Sequence, residues 1–109
     1  MAERRSWSVI KNYIRREEMN FNVGIIGLGV GEAHLAAYEA ISNCAVVGIC
    51  DFSAQKIAEV RSRHPRVQRV FESASELLAD PRINLVSIAS HDNFHFEQVI
   101  QAIQSGKLS

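Results

Sequence analysis

Three glycines at alternate positions, Gly27, Gly29 and Gly31, have the spacing that most directly indicates chemistry in this sequence. They follow an apolar run, Phe21–Ile26, and precede a helix-forming stretch at residues 32–41. This order predicts a buried strand, a tight turn and a helix N-terminus. Because glycine has no Cβ, such a turn lets backbone approach an anion closely, and the free N–H groups of the helix bind phosphate. The segment is therefore predicted to bind a phosphate group.

Asp51 is the second candidate, because it follows another apolar run at residues 45–50 and lies 20 residues after Gly31. A carboxylate at the end of the second strand accepts hydrogen bonds from the adenosine ribose hydroxyls. Its charge also repels a 2′-phosphate, which favours NAD over NADP. Alternatively, Asp51 serves only as a turn or cap residue for a helix that begins near Ser53. The glycine turn upstream favours ribose binding.

These residues must be positioned by elements that alternate along the chain. Beyond the second strand, helices are predicted at residues 53–63, 74–79 and 96–105, and strands at 67–71 and 85–89. Alternation of this kind predicts parallel strands with right-handed crossovers, in an α/β, doubly wound, Rossmann-like sheet. Ligands bind such sheets at the carboxyl ends of the strands. The glycine turn, Asp51 and a polar turn at residues 90–95 should therefore meet at one edge.

Some expectations concern packing alone. The helix after the glycines carries small residues that are expected to let it pack closely on the sheet: Ala33, Ala36, Ala37 and Ala40. His34 is expected to be a packed residue near the N-terminus of that helix. His64, which precedes Pro65, is expected at the surface.

Composition sets broad limits on the protein class. The 109 residues contain 12 Lys plus Arg and 12 Asp plus Glu, which gives a formal net charge of zero. A neutral chain does not indicate nucleic acid or an anionic membrane as a partner. No apolar run is long enough to span a bilayer. Cys44 and Cys50 lack a His pair at metal spacing, and we expect buried thiols in a reducing, cytoplasmic compartment. Residues 1–18 differ in composition and are expected to be an extension ahead of one domain at residues 19–109.

A methyltransferase-like site for S-adenosylmethionine is an alternative, because a Gly-x-Gly-x-Gly pattern also occurs in that class. Those proteins usually carry an acidic residue two positions before the first glycine. Ile25 occupies that position here, which argues against this alternative.

Three segments resemble the Gfo/Idh/MocA family, which includes glucose–fructose oxidoreductase and inositol dehydrogenase. They are Gly27-Leu28-Gly29-Val30-Gly31-Glu32-Ala33-His34, Cys50-Asp51, and Ser87-Ile88-Ala89-Ser90-His91-Asp92-Asn93-Phe94-His95. The last is similar to a Thr-Pro-Asn-x-x-His turn of the family, with His91 and Asp92 as departures. The resemblance implies that the backbone of residues 27–31 holds the pyrophosphate and Asp51 the ribose of NAD. It also implies that Ser90, Asp92 and His95 line the cofactor cleft.

The resemblance further implies an NAD-dependent oxidoreductase that acts on sugar or polyol CH–OH groups, with a substrate domain after the Rossmann domain. The family's next strand ends in Glu-Lys-Pro, and the sequence stops before it. Lys107 belongs to a preceding Gly-Lys pair and is not that catalytic lysine. We therefore expect a fragment or truncated reading frame without turnover, with an exposed sheet edge that favours self-association. A stand-alone NAD-sensing module, and a subunit whose substrate domain comes from a second chain, remain alternatives.

Overall fold

The structure, a computed structural model, describes residues 20–90 and 95–108, with the backbone alone at residues 95–97. The predicted extension at residues 1–18 and most of the turn at 90–95 lie outside these residues. The strands are β1 Phe21–Ile26, β2 Cys44–Cys50, β3 Arg69–Val70 and β4 Leu85–Ile88. The helices are α1 Gly31–Glu39, α2 Ala54–Arg63, α3 Ala74–Ala79 and α4 His95–Gln104.

The four strands form one parallel sheet in the order β3-β2-β1-β4. The chain moves outward from β1 through β2 to β3 and then crosses back to place β4 on the other side of β1. This reversal beside β1 creates a crevice at the carboxyl ends of β1 and β4, which is where doubly wound sheets bind ligands. The predicted Rossmann-like α/β fold is confirmed.

Helices cover both faces of the sheet, which explains why the strands are continuous apolar runs. On one face, Leu35 of α1 and Val60 of α2 are fully buried with the β1 residues Val23 and Ile25. On the other face, residues of α3 and α4 pack with residues of β1, β2 and β4. That second cluster includes Ile26, Val47, Cys50, Phe71, Leu77, Leu78, Ile83, Val86 and Ala102.

The expectation about the alanines of α1 was wrong. Ala33, Ala36, Ala37 and Ala40 are all exposed, and the buried residues of the helix are Gly31 and Leu35. These two are four residues apart, and the partly buried Tyr38 packs against the same core cluster as Leu35. The alanines occur on the other sides of this short helix, so their small size does not determine how closely α1 approaches β1.

The predicted third strand is shorter than its apolar pattern indicates. Only Arg69 and Val70 pair with β2, opposite Gly48 and Ile49. Val67 and Phe71 are buried without belonging to the strand. Other boundaries differ by one or two residues, and His95, predicted to end a turn, is the first residue of α4.

The C-terminal residues return to the sheet at β4. Leu108 forms a parallel bridge with Leu85, donating its N–H to the Asn84 carbonyl and accepting from the Val86 N–H. Lys107 is buried, and its Nζ donates to the carbonyls of Asp80 (2.7 Å) and Ile83 (2.6 Å). This lysine therefore anchors the chain end to the loop before β4. No helix in the described part of the chain has the length and apolar character that crossing a bilayer requires.

Candidate functional site

A cleft of about 430 Å³ opens at the carboxyl ends of β1, β2 and β4. Its lining residues come from the turns that follow these strands, from the start of α3 and from α4. They are Ile26, Gly27, Gly29, Cys50, Asp51, Phe52, Glu72, Ser73, Ala74, Ala89, Ser90 and Gln98. The structure thus brings together three predicted segments: the glycine turn, Asp51 and Ser90.

Gly27 makes the turn out of β1. Its φ is +87°, in the left-handed region that favours glycine. A Cβ at this position would lie 2.8 Å from both the Ala89 carbonyl carbon and the Ser90 nitrogen. Because those atoms are backbone, they cannot move aside cheaply, and Gly27 is required by the fold at the junction of β1 and β4.

Gly29 and Gly31 have different surroundings. A Cβ on Gly31 would lie 2.9 Å from Cγ2 of Ile25, so the missing side chain lets α1 start close to β1. A Cβ on Gly29 would meet nothing within 4 Å, although this residue lines the cleft. The three glycines therefore provide a turn, an open backbone surface and a close helix–strand contact, as in dinucleotide-binding turns.

The N-terminus of α1 lies directly beyond this open backbone. The N-cap residue, Val30, makes no side-chain cap hydrogen bond. First-turn N–H groups that no side chain caps are suited to bind an anion, and the helix dipole adds to that preference. Leu28, by contrast, is fully buried, and its N–H donates to the Asp51 carboxylate, so neither its side chain nor its N–H is available to a ligand.

The Asp51 carboxylate joins two backbone segments. Oδ2 accepts a hydrogen bond from the Leu28 N–H (2.7 Å) and Oδ1 accepts one from the Ser53 N–H (2.8 Å). The second bond resembles the turn role that was the alternative interpretation, and Ser53 itself caps α2 by accepting from the Lys56 N–H. An ionised carboxylate has about four lone-pair sites. Two lone-pair sites of Asp51 stay available beyond these two hydrogen bonds, enough for two ribose hydroxyls. Ribose binding itself stays a prediction.

Phe52 and Gln98 also line the cleft, and sequence reasoning missed both. Phe52 follows Asp51 directly and is 84% exposed, a large aromatic surface beside the cleft. Its place immediately after the acidic residue was a usable signal. Gln98 is buried on α4 and accepts a hydrogen bond from the Ser90 hydroxyl (2.6 Å). The apolar pattern of α4 gave no sign of a buried amide.

The side chains of two other predicted site residues lie outside the part of the chain that the structure describes. Asp92 lies outside the described residues, and His95 is described as the first backbone position of α4 without its side chain. Their assignment to the cofactor cleft stays a prediction.

A group of charged side chains, which we call the α1–α2 seam, connects the first turn of α1 to α2. Glu32 accepts two hydrogen bonds from Arg63 (2.6 and 2.8 Å), and Lys56 Nζ lies 3.6 Å from it. The Arg63 guanidinium is the main reason that the pKa of Glu32 falls to about 2. His64 contacts both Glu32 (3.3 Å) and Glu39 (2.6 Å), and only 15% of its side chain is exposed. The expected surface position of His64 was wrong.

Other titratable residues near the sheet have structural partners. His34 is exposed but hydrogen-bonds the buried Ser87 hydroxyl through Nδ1 (2.7 Å), so it is only partly the packed residue that was expected. Cys50 is a free, buried cysteine, and burial raises the pKa of its thiol to about 11. It therefore lines the cleft as an apolar group and not as a thiolate.

Comparison with known proteins adds independent information. A family model named GFO_IDH_MocA, described as an oxidoreductase family with an NAD-binding Rossmann fold, matches residues 21–108. An inositol 2-dehydrogenase/D-chiro-inositol 3-dehydrogenase from Lactiplantibacillus plantarum is 27% identical over 89 residues, covering 80% of this chain and 25% of that protein. A myo-inositol 2-dehydrogenase from Thermotoga maritima is 28% identical over 86 residues, covering 78% of this chain and 25% of the relative.

Solved structures give the same result. A levoglucosan dehydrogenase in complex with NADH superposes with a TM-score of 0.72 at 30% identity, over 82% of this chain and 26% of that one. A myo-inositol dehydrogenase from Lactobacillus casei in complex with NAD(H) and myo-inositol has a TM-score of 0.72 at 27% identity, over 82% and 27% of the two chains. The chain spans about a quarter of the length of the relatives that it matches.

Proposed function

The chain belongs to the GFO_IDH_MocA oxidoreductase family, of which it carries the NAD-binding Rossmann domain, and we propose that its cleft binds NAD through the glycine turn and Asp51. Gly27 and Gly31 shape the turn, while the open backbone at Gly29 and the N–H groups after Val30 bind the pyrophosphate. Asp51 accepts the ribose hydroxyls. The observation that carries the proposal is that Gly29, with open space at its Cα, lines the same cleft as Asp51.

The adenine ring is proposed to contact Phe52, because this exposed aromatic side chain adjoins the ribose-binding carboxylate. An aromatic face of this kind stacks on a base with a contribution of roughly 1–3 kcal/mol. Ser73 and Ala74, at the start of α3, line the same cleft. Ser90, Asp92 and His95 are proposed to line the nicotinamide side, in accord with the family resemblance of that turn.

Titration of the purified chain with NADH, followed by cofactor fluorescence, tests this assignment. NADH should bind, ADP-ribose should compete with it, and NADPH should bind more weakly. S-adenosylmethionine should neither bind nor compete, since Ile25 occupies the place of the acidic residue that such sites use. Tighter binding of S-adenosylmethionine than of NADH would overturn the oxidoreductase assignment.

We further propose that this domain is the cofactor-binding part of an oxidoreductase that moves a hydride between NAD and a CH–OH carbon of a polyol or sugar. Two relatives are inositol dehydrogenases, and their chains are about four times as long as the matched region. NAD supplies the hydride chemistry, and this domain supplies binding and orientation. Purified chain should therefore bind NADH yet show no turnover with polyols, and turnover proportional to its concentration would contradict this.

The domain is proposed to begin at residue 19, after an extension at residues 1–18. β1 starts at Phe21, and its N–H already pairs with the Asn43 carbonyl (2.7 Å). A chain that lacks residues 1–18 should keep the melting temperature and NADH affinity of the 109-residue chain. A lower melting temperature at matched concentration would show that the extension packs on the domain.

Self-association and a reducing, cytoplasmic location are also proposed. Ile103 of α4 is 63% exposed and Leu108, beside the β4 edge, is 57% exposed, so an apolar surface adjoins strand atoms able to pair. The free thiols of Cys44 and Cys50 suit a reducing compartment. Sedimentation velocity should show a concentration-dependent shift to larger species, and a monomer at all concentrations would refute the association.

A further inference from the structure

We infer that Glu32 is a second determinant of the preference for NAD over NADP, because it pairs with Lys56, a cation beside Asp51 that could otherwise bind a 2′-phosphate. This role rests on the proposed NAD site and adds to it a residue that lies on the α1–α2 seam. Asp51 would repel the phosphate by charge, and Glu32 would occupy the cation, Lys56, that could attract it.

The first step is the position of Lys56 relative to Asp51. The Lys56 N–H donates to Ser53 Oγ (3.1 Å), and the Ser53 N–H donates to Asp51 Oδ1 (2.8 Å). Lys56 therefore lies on the first turn of α2, which begins beside the carboxylate. A ribose 2′-oxygen bound to Asp51 would be next to this turn.

The second step is what the cations of the seam now bind. Arg63 makes a bidentate ion pair with Glu32, and Lys56 Nζ lies 3.6 Å from the same carboxylate. Both cationic side chains reach solvent, with 33% of Lys56 and 49% of Arg63 exposed. They can therefore reorient if the carboxylate is neutralised. His64 would stay in place, because it also contacts Glu39 (2.6 Å).

The third step is the charge of the ligand. A phosphate monoester carries about −1.5 to −2 charges near pH 7, and Rossmann domains that accept NADP use a nearby cation to bind it. With Glu32 ionised, both Lys56 and Arg63 are paired with its carboxylate. Without that charge, Lys56 becomes available on the turn beside Asp51.

Titration of the complete chain and its variants with NADH and NADPH tests this role. Glu32→Gln should raise the affinity for NADPH relative to NADH by roughly two- to fivefold, the range expected for a solvent-exposed ion pair. Both cofactors share the pyrophosphate, so the ratio of the two affinities is the readout, and saturable NADH binding shows that the variant is folded. Adding Lys56→Ala to Glu32→Gln should abolish the gain, and about 0.5 M salt should reduce it.

Glu59→Gln is the matched control, because it removes the same charge from α2 but leaves the bonds of Glu32 intact. Its NADPH/NADH ratio should equal that of the wild type. A Glu32→Gln chain that binds NADH normally with an unchanged ratio, or an equal gain in the control, would overturn the role of Glu32. Failure of the wild-type chain to bind NADH would instead refute the proposed NAD site.

Discussion

Replacement of Asp51 should separate the two roles of its carboxylate, which are to bind the ribose and to hold the turn by accepting backbone hydrogen bonds. Each hydrogen bond from a ribose hydroxyl to an ionised carboxylate contributes roughly 1.5–3 kcal/mol. Asp51→Ala should therefore weaken NADH binding about tenfold or more and narrow the preference over NADPH. It also leaves the N–H of the fully buried Leu28 without its 2.7 Å acceptor. An unpaired buried donor costs about 1–3 kcal/mol, so the free energy of unfolding should fall by that amount.

Asp51→Asn is the matched variant, because its amide oxygen can still accept from Leu28 while the charge is lost. Its affinity for NADH and its selectivity should fall nearly as far as those of Asp51→Ala, but its unfolding free energy should fall less. Fluorescence titration with both cofactors gives the affinities, and urea unfolding followed by circular dichroism gives the stabilities. Wild-type affinity and selectivity in both variants would refute ribose binding and leave Asp51 as a turn residue.

Three further predictions concern the turn, acid stability and the chain end. Gly27→Ala should destabilise the domain by about 1–3 kcal/mol or more in urea unfolding, whereas Gly29→Ala should fold normally and bind NADH more weakly; normal stability of the first variant would contradict its backbone clash. Asp80, whose pKa falls to about 2 mainly through its hydrogen bonds with Arg82, behaves like Glu32. The folded-state pKa values of Glu32 and Asp80 lie below their ordinary values of 4.5 and 3.8, so the stability that these carboxylates contribute should be present above about pH 4.5 and disappear towards pH 2. Urea unfolding repeated across that pH range measures this loss, and an unfolding free energy that does not change with pH would contradict it. Lys107→Met should lower the melting temperature, since two carbonyls lose their buried donor, without changing NADH affinity, and an altered affinity would show that this lysine reaches the cleft.

Features fixed by local sequence were predictable. Each strand that pairs extensively is an apolar run, and each run is followed by the glycine or polar residue that opens the cleft. The helices predicted to begin at residues 53 and 74 begin at Ala54 and Ala74, and Ser53 and Ser73 cap them. The parallel order followed from the alternation of elements, since a crossover helix forces neighbouring strands to run the same way.

Features that depend on contacts across the chain were not predictable. Arg63 and Glu32 are 31 residues apart and meet only because α1 and α2 lie side by side, a contact that no local pattern indicates. Burial and strand pairing also differ, as Phe71 shows: it is buried, but the ladder stops at Val70. Gln98 lies among apolar neighbours in the sequence, and only the position of Ser90 explains its burial.

The anchoring of Lys107 has a geometric consequence for any polypeptide that pairs with β4 beyond Leu108. The two bonds of its Nζ hold the chain so that Leu108 lies beside Leu85. In that alignment, a segment that continues the pairing is level with Ile88, the last residue of β4, three residues later. With a rise of about 3.3 Å per residue, it travels roughly 10 Å before its side chains emerge at the edge that holds Gly27 and Asp51. Lys107 thus fixes the register of this pairing with β4. A shift of the register by one residue would turn every following side chain to the opposite face of the sheet.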